Sequence, residues 1–286
     1  MTYGCFRAVL DDLNEAGSDE FPDDWDEEVQ RSIEGLAESY AKLRKPDRDL
    51  IDYSTLPVQA AYSFMYAVGR AEFLYEILCH TRDKLGAPLF GKTKLRVVSL
   101  GGGPASELPG LVKFLDDPDS KEKVQEIDFA VFDKEAAWEH VAELVAEKIN
   151  DKRVTLTSYE GLDLTQVQTC AAADLSAADL VILSFVISEV CCIPGSSAVR
   201  TNLAHMLSRL PPGAAVVYND SNAYSFYSFM NSVAAGVPKL DQVHEFEGMV
   251  ELKSPDFSGA FEQMIESTGR TPHLNSRAVA KFYRKS

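Results

Sequence analysis

Leu95-Arg96-Val97-Val98-Ser99-Leu100-Gly101-Gly102-Gly103-Pro104-Ala105-Ser106-Glu107-Leu108 is the stretch whose reading decides the fold. Its apolar, β-branched start predicts a buried strand over 96–100. Three glycines then predict a sharp turn, and Leu108, Leu111, Val112, Phe114 and Leu115 recur at helical spacing, giving a helix over 105–115. A strand, a glycine turn and a helix N-terminus in that order form a loop suited to a nucleotide-type ligand. Glycine lets the backbone turn sharply and lets a ligand approach where a Cβ would block it. Taken alone, the triplet fits a tight turn without a ligand equally well, so the flanking sequence has to decide.

Downstream, strand and helix alternate, which is the sign of a parallel sheet. Strands are predicted over 127–132, ending at Asp133, over 154–158, leading to Asp163 and Leu164, over 180–185, and over 214–218, ending at Asn219-Asp220. Helices are predicted over 136–149 and 197–210. The run 180–185 is almost continuously apolar, as a central strand covered on both faces should be. A segment rich in Tyr and Phe follows over 221–233. A strand over 245–252, a helix over 257–268 and a last strand over 278–283 complete the chain.

Upstream, residues 1 to about 50 are acidic and predict a short helix, a turn at Pro22, and a helix from 23 or 24 to 43. The run of carboxylates reads as a solvated face, with its first acids favouring the helix N-terminus. A long helix is expected over 55–85, with Thr55 as N-cap and Leu85-Gly86-Ala87-Pro88 as its stop. Tyr62, Tyr66, Arg70 and Leu74 share one face of it. No residue one turn from Arg70 carries a charge, so a buried Arg70 needs an anion from outside its own helix or an outlet to water. These patterns divide the chain into a helical cap over 1–90 and an α/β domain over 91–286.

The bulk numbers narrow the class. The chain has 286 residues and a formal net charge of −16. Such a surface repels phosphate backbones, so nucleic acid is disfavoured as a partner and a small molecule or a protein segment is favoured. Arg277, Lys281, Arg284 and Lys285 are the residues that would have to supply a local basic patch; otherwise they are solvated strand ends. Five cysteines without CxxC spacing argue against a disulfide scaffold and a zinc ribbon, and five scattered histidines argue against any metal site. Neither a signal core nor a membrane-length apolar run is seen, which leads to the expectation of a soluble intracellular protein, cytoplasmic or nuclear, with no membrane partner.

The chain from about Lys94 onward resembles the class I S-adenosylmethionine-dependent methyltransferases. The resemblance rests on Val98-Ser99-Leu100-Gly101-Gly102-Gly103-Pro104-Ala105 as the first motif, Asp133 as the acidic end of the second strand, the turn Leu210-Pro211-Pro212-Gly213, and the closing strand–helix–strand. It implies a Rossmann-like methyltransferase fold: α/β, with a seven-stranded, mostly parallel sheet, an antiparallel last strand and the N-terminal helical cap. It also implies S-adenosylmethionine as cofactor, held by Gly101, Gly102, Gly103, Pro104, Asp133, Lys134, Asp163, Leu164, Ser184 and Phe185. Two departures stand out. Ser99 occupies a place where the family often has an acid, with Glu107 near enough in sequence to compensate, and Ala105 replaces the last motif glycine. Arg70 is placed like the arginine that holds the cofactor's carboxylate in protein arginine methyltransferases.

Acceptor-side candidates follow from topology. Asp220 and Glu189 are the carboxylates placed to take a proton, and Tyr66, Asn219, Asn222, Tyr224 and Tyr227 are placed to contact the acceptor. Methyl transfer needs no metal. Three alternatives stay open at this level: an RNA base methyltransferase, a catalytically inactive methyltransferase-like regulatory subunit, and a nicotinamide dehydrogenase, which Ser106 in place of a third glycine speaks against.

Overall fold

The computed structural model describes residues 1–118, 123–252, 255 and 257–286. The chain order is α1 (Thr2–Glu20), α2 (Trp25–Ala41), α3 (Leu56–Tyr62), a π-helical turn (Ser63–Ala67), α4 (Val68–Phe90), β1 (Lys94–Leu100), α5 (Glu107–Leu115), β2 (Glu126–Asp133) and α6 (Trp138–Ile149). Then come β3 (Val154–Gly161), α7 (Val167–Ala172), β4 (Leu180–Ser184), α8 (Ile187–Val190), α9 (Ser196–Ser208), β5 (Ala215–Ser221), α10 (Tyr224–Ala235), β6 (Leu240–Glu251), α11 (Ala260–Thr268) and β7 (Asn275–Lys285). The seven strands form one sheet in the order β3-β2-β1-β4-β5-β7-β6. Strands β1 to β5 run parallel to one another, and β7 is antiparallel to both of its neighbours.

Strand alternation divides the core between two faces. On β4, Leu180 and Ile182 join the cluster on one face, while Val181 and Leu183 join the other. The first face is covered by α5, α6 and α11 together with the N-terminal helices, whose Phe6, Leu10, Leu36 and Phe64 share a core with Val97, Phe129 and Val131. Residues 1–90 therefore bury their apolar stripes on the sheet layer itself. Helices α7, α9 and α10 cover the second face.

Two expectations about helices change. The first helix is 19 residues long rather than short. The long helix does not stop at 85; it continues to Phe90. A proline at 88 has no N–H for the carbonyl four residues earlier. That carbonyl, of Lys84, accepts from Arg284 Nη2 at 3.1 Å, and Leu85 O accepts from the same atom at 3.3 Å. The tertiary contact supplies what the helix cannot.

The long helix is also interrupted by the π turn at Ser63–Ala67. The carbonyl of Met65 accepts from the backbone N–H of His273 at 2.7 Å. One turn further on, a Cβ at Gly69 would collide with the His273 carbonyl, so glycine is what lets the segment before β7 lie directly on this turn. Gly110 does the same between α5 and the backbone of Ala71.

Candidate functional site

Strand β1 pairs with β2 on one side and β4 on the other, so the sheet switches direction at β1/β4. Ligands of open α/β sheets bind beyond the strand ends at such a point. A cleft of about 260 Å³ opens there. Of the residues expected around the cofactor, Gly101, Gly103, Pro104, Asp133, Lys134, Asp163, Leu164, Ser184 and Phe185 line it, as does Glu189.

The glycine loop is fixed by its neighbours. Gly101 has φ +67 and Gly103 φ +45, and a Cβ on Gly101 would collide with Val186 Cγ2. Gly101 N–H donates to Phe132 O at 2.7 Å. Asp133 Oδ2 accepts from the Gly103 N–H at 2.8 Å, and its Oδ1 accepts from the Glu135 N–H at 2.9 Å. One carboxylate thus ties the loop after β1 to the turn after β2. Burial raises the Asp133 pKa despite these donors. Gly102 lies beneath the loop against Ser99 and Val131 and does not line the cleft. Ala105 adopts φ +59, the backbone conformation that a glycine in its place would take without strain.

Glu107 is fully buried, and Ser99 Oγ donates to its Oε2 at 3.3 Å. Glu107 therefore stands beside the end of β1 but lines neither cavity, so the expected contact of this carboxylate with a cofactor is not offered by the cleft wall. Burial pushes Glu107 up to about 7, although the Ser99 hydroxyl and the Arg70 charge oppose the shift. Asp163 Oδ1 accepts from both the N–H and the hydroxyl of Thr165, at 2.9 and 2.7 Å, and so shapes the turn after β3.

The acceptor-side expectations divide. Glu189 on α8 faces the cleft and accepts from the Tyr53 hydroxyl at 2.9 Å. Burial raises it to about 7, with the Tyr53 hydrogen bond opposing. Asp220 does not stand free as a base. It is wholly buried, with Oδ2 taken by the Ser188 N–H and Oδ1 by the Ser221 N–H, both at 2.8 Å. Its place is to fix α8 beside the end of β5. Asn219 is likewise buried, donating to Ser184 Oγ at 3.0 Å, and is closed to an acceptor. Asn222 donates to Glu247 on the edge strand β6, and Tyr224, 76% exposed, packs on Tyr227; none of the three lines the cleft.

Arg70 and Tyr66 fall outside this cleft as well. Both line a second cavity, of about 350 Å³, that meets the first at Phe185. The π turn explains the split. Tyr62, before it, lines the first cavity, while Tyr66 and Arg70 line the second.

Several lining residues have no signal in the sequence. The linker between α2 and α3 brings Leu50, Ile51, Asp52 and Tyr53 over the first cleft. It is clamped there by Arg48 Nη2, which donates to Ser188 O at 3.2 Å and Glu189 O at 2.5 Å, and by the Asp47 N–H on Cys192 O. Tyr53, Tyr62 and Trp138 form an aromatic cluster with ring centroids 5.3–5.7 Å apart. Only the aromatic content of 50–66 could have hinted at it. Three of the four residues of the anticipated C-terminal basic patch are committed elsewhere, and of the four Arg277 alone is exposed. Lys281 is buried on Glu245, Lys285 Nζ donates to Pro238 O, and Arg284 donates to the Lys84 and Leu85 carbonyls within α4.

Among the described residues, no group of His, Cys, Asp or Glu is arranged to hold a metal ion, and no helix is long and apolar enough to cross a membrane.

The strand order, with its antiparallel β7, is the one that the resemblance in the sequence implies. No family model and no curated protein sequence matches the chain. Solved structures resemble it at low identity. A Listeria monocytogenes protein described as a class I S-adenosylmethionine-dependent methyltransferase is 16% identical, with 100% of this chain and 88% of that one covered and a TM-score of 0.48. Magnesium protoporphyrin IX methyltransferase from Synechocystis, solved with bound S-adenosylmethionine, is 11% identical over 92% of this chain and 98% of its own, at 0.46. A TehB-like methyltransferase from Corynebacterium glutamicum is 14% identical over 89% and 98%, at 0.42.

Proposed function

We propose that the chain is an S-adenosylmethionine-dependent methyltransferase whose acceptor is a small molecule. The observation that carries this reading is the charge of the first cleft. The glycine loop and its Asp133 latch sit in a wall that bears five carboxylates, Asp52, Asp133, Glu135, Asp163 and Glu189, against one cation, Lys134. Such a wall favours a sulfonium cation rich in hydroxyls and disfavours the pyrophosphate of a dinucleotide or an RNA backbone. Gly101 and Gly103 both line this cleft at positive φ, so the loop backbone turns along its wall.

In this reading Asp133 keeps lone pairs for the ribose hydroxyls, Gly101 and Gly103 hold the methionine half, and Asp163 and Leu164 border the adenine. Bound there, S-adenosylmethionine would supply an electrophilic methyl group for an acceptor lone pair, with S-adenosylhomocysteine as the leaving product. Residues 47–53 roof the cleft and exclude water through Tyr53. Glu189, poised near neutrality, takes the acceptor's proton. The commitment of Lys281, Arg284 and Lys285 to internal partners weighs against RNA as acceptor.

Calorimetric titration tests the reading. S-adenosylhomocysteine is expected to bind with one site per chain, and NAD is expected not to bind. Binding of NAD alone would revive the dehydrogenase. Cofactor binding without label transfer, from tritiated methyl donor into small-molecule, protein and RNA fractions, would favour the inactive subunit.

A further inference from the structure

The second cavity differs from the first in charge. Among the described residues lining it there is no carboxylate, and Arg70 is the one full cation, in a chain of net charge −16. Arg70 forms no ion pair with a described carboxylate, and its Nε is buried without a hydrogen-bond partner. The nearby acids are committed elsewhere: Glu107 to Ser99, Glu189 to Tyr53, and Asp220 to Ser188 and Ser221. The Arg70 side chain hydrogen-bonds Tyr62, and its charge acts on Glu107, Glu189 and Asp220 through space without an ion pair, so no described carboxylate sits on the guanidinium fork itself.

Its plane is also fixed. The guanidinium carbon stands 3.1 Å from the centroid of the Phe185 ring and 5.8 Å from that of Tyr66. Phe185 is held at φ +59 with its ring edge-on to Phe73, and such a strained aromatic residue is seen where surrounding structure imposes it. The walls are flat. Tyr66 stacks on His273 with centroids 5.1 Å apart and planes 5° from parallel. Desolvation, and then the Arg70 charge, lower the His273 pKa, so its ring is a neutral stacking surface. A fixed fork of N–H donors recognises a planar, two-oxygen anion, and flat aromatic walls recognise a flat apolar body.

We infer that this second cavity is the acceptor chamber and selects a small aromatic carboxylate, with Arg70 holding the carboxylate group and Tyr66, His273 and Phe185 bounding the ring. The word acceptor rests on the methyl-transfer reading; the selectivity for a flat anion does not. Arg70 thereby serves the acceptor and not the methionine carboxylate of the cofactor.

The test uses naphthoate and its neutral isostere naphthamide as probes of the whole protein, with and without saturating S-adenosylhomocysteine. Naphthoate is expected to bind in both states, at least about tenfold tighter than naphthamide, which is the loss of one charge-assisted pair. In Arg70→Gln the two probes should bind alike; thermal melting checks that this variant is folded, and the wild-type ratio stands without it. Equal binding of the two probes to the wild-type protein would overturn the inference. So would displacement of naphthoate by S-adenosylhomocysteine, since Arg70 would then hold the cofactor's carboxylate. If S-adenosylhomocysteine fails to bind while naphthoate still outcompetes naphthamide, the methyl-transfer reading falls and the anion chamber stands.

Discussion

At the scale of single residues, backbone conformation and burial decide what each position can do. Ala105 occupies the left-handed region, where an L side chain costs roughly 1–2 kcal/mol. Ala105→Gly relieves that strain but removes a fully buried methyl worth about 0.8 kcal/mol and loosens the unfolded chain, so the terms nearly cancel and the melting temperature is expected to stay within about 2 °C in calorimetry. In Gly101→Ala the new Cβ has to displace Val186 from the wall of the first cleft, so S-adenosylhomocysteine affinity should fall at least tenfold, whereas an unchanged titration would demote the loop to a structural turn. Glu189 titrates near 7 because burial outweighs its hydrogen bond from Tyr53. Its carboxylate form increases as pH rises through that value, so the methyl-transfer rate should climb to a plateau above about pH 7. Tyr53→Phe removes a donor to the charged form, which raises the Glu189 pKa and moves the rise to higher pH.

At the scale of elements, the long helix before β1 organises both cavities. Its π turn frees the Met65 carbonyl for the His273 N–H and puts Tyr62 on one cavity and Tyr66 with Arg70 on the other. A π turn of this kind is a frequent mark of a functional site. Gly69 is the contact that keeps residue 273 on the turn. Gly69→Ala should push the segment before β7 away from Tyr66, weakening naphthoate binding while leaving S-adenosylhomocysteine affinity within about twofold, because the first cleft does not touch that segment. Loss of both affinities together would mean that the two cavities do not act as separate sites.

At the scale of the whole molecule, three buried carboxylic acids surround the region where the cavities meet. Glu107 and Glu189 are raised to about 7 and Asp220 to about 6, in each case chiefly by burial. Their folded pKa values exceed the unfolded ones, so the folded protein binds more protons between about pH 4.5 and 7. Stability supplied by these groups is present below the unfolded values and is lost as pH rises through the folded ones. The melting temperature is expected to fall between about pH 5 and 7.5, and Glu107→Gln, which cannot ionise, should flatten that fall. A melting temperature that rises over this range in both proteins would show that these carboxyls are not the controlling groups.

The sequence by itself determined the sheet and the glycine loop after β1. Periodicity located all seven strands, and Gly101, Gly103, Asp133 and Asp163 were placed correctly at consecutive strand ends, because alternation and glycine turns are local signals that folding preserves. Tertiary structure alone decided which polar side chains face a cavity. Asp220 and Asn219 read as exposed strand-end groups, yet antiparallel β7 beside β5 and α8 above it bury them. Lys281 and Lys285 read as a basic patch, yet pairing with β6 turns them onto Glu245 and Pro238. Arg70 shares a helix face with Tyr62 in the sequence, and the fold keeps the two side chains hydrogen-bonded while each lines a different cavity. The linker at 47–53 carries no periodic signal, and it covers the site only because Arg48 and Asp47 find carbonyls near 190 in the folded chain. Contacts across some 140 positions of sequence are set by packing, which no local pattern encodes.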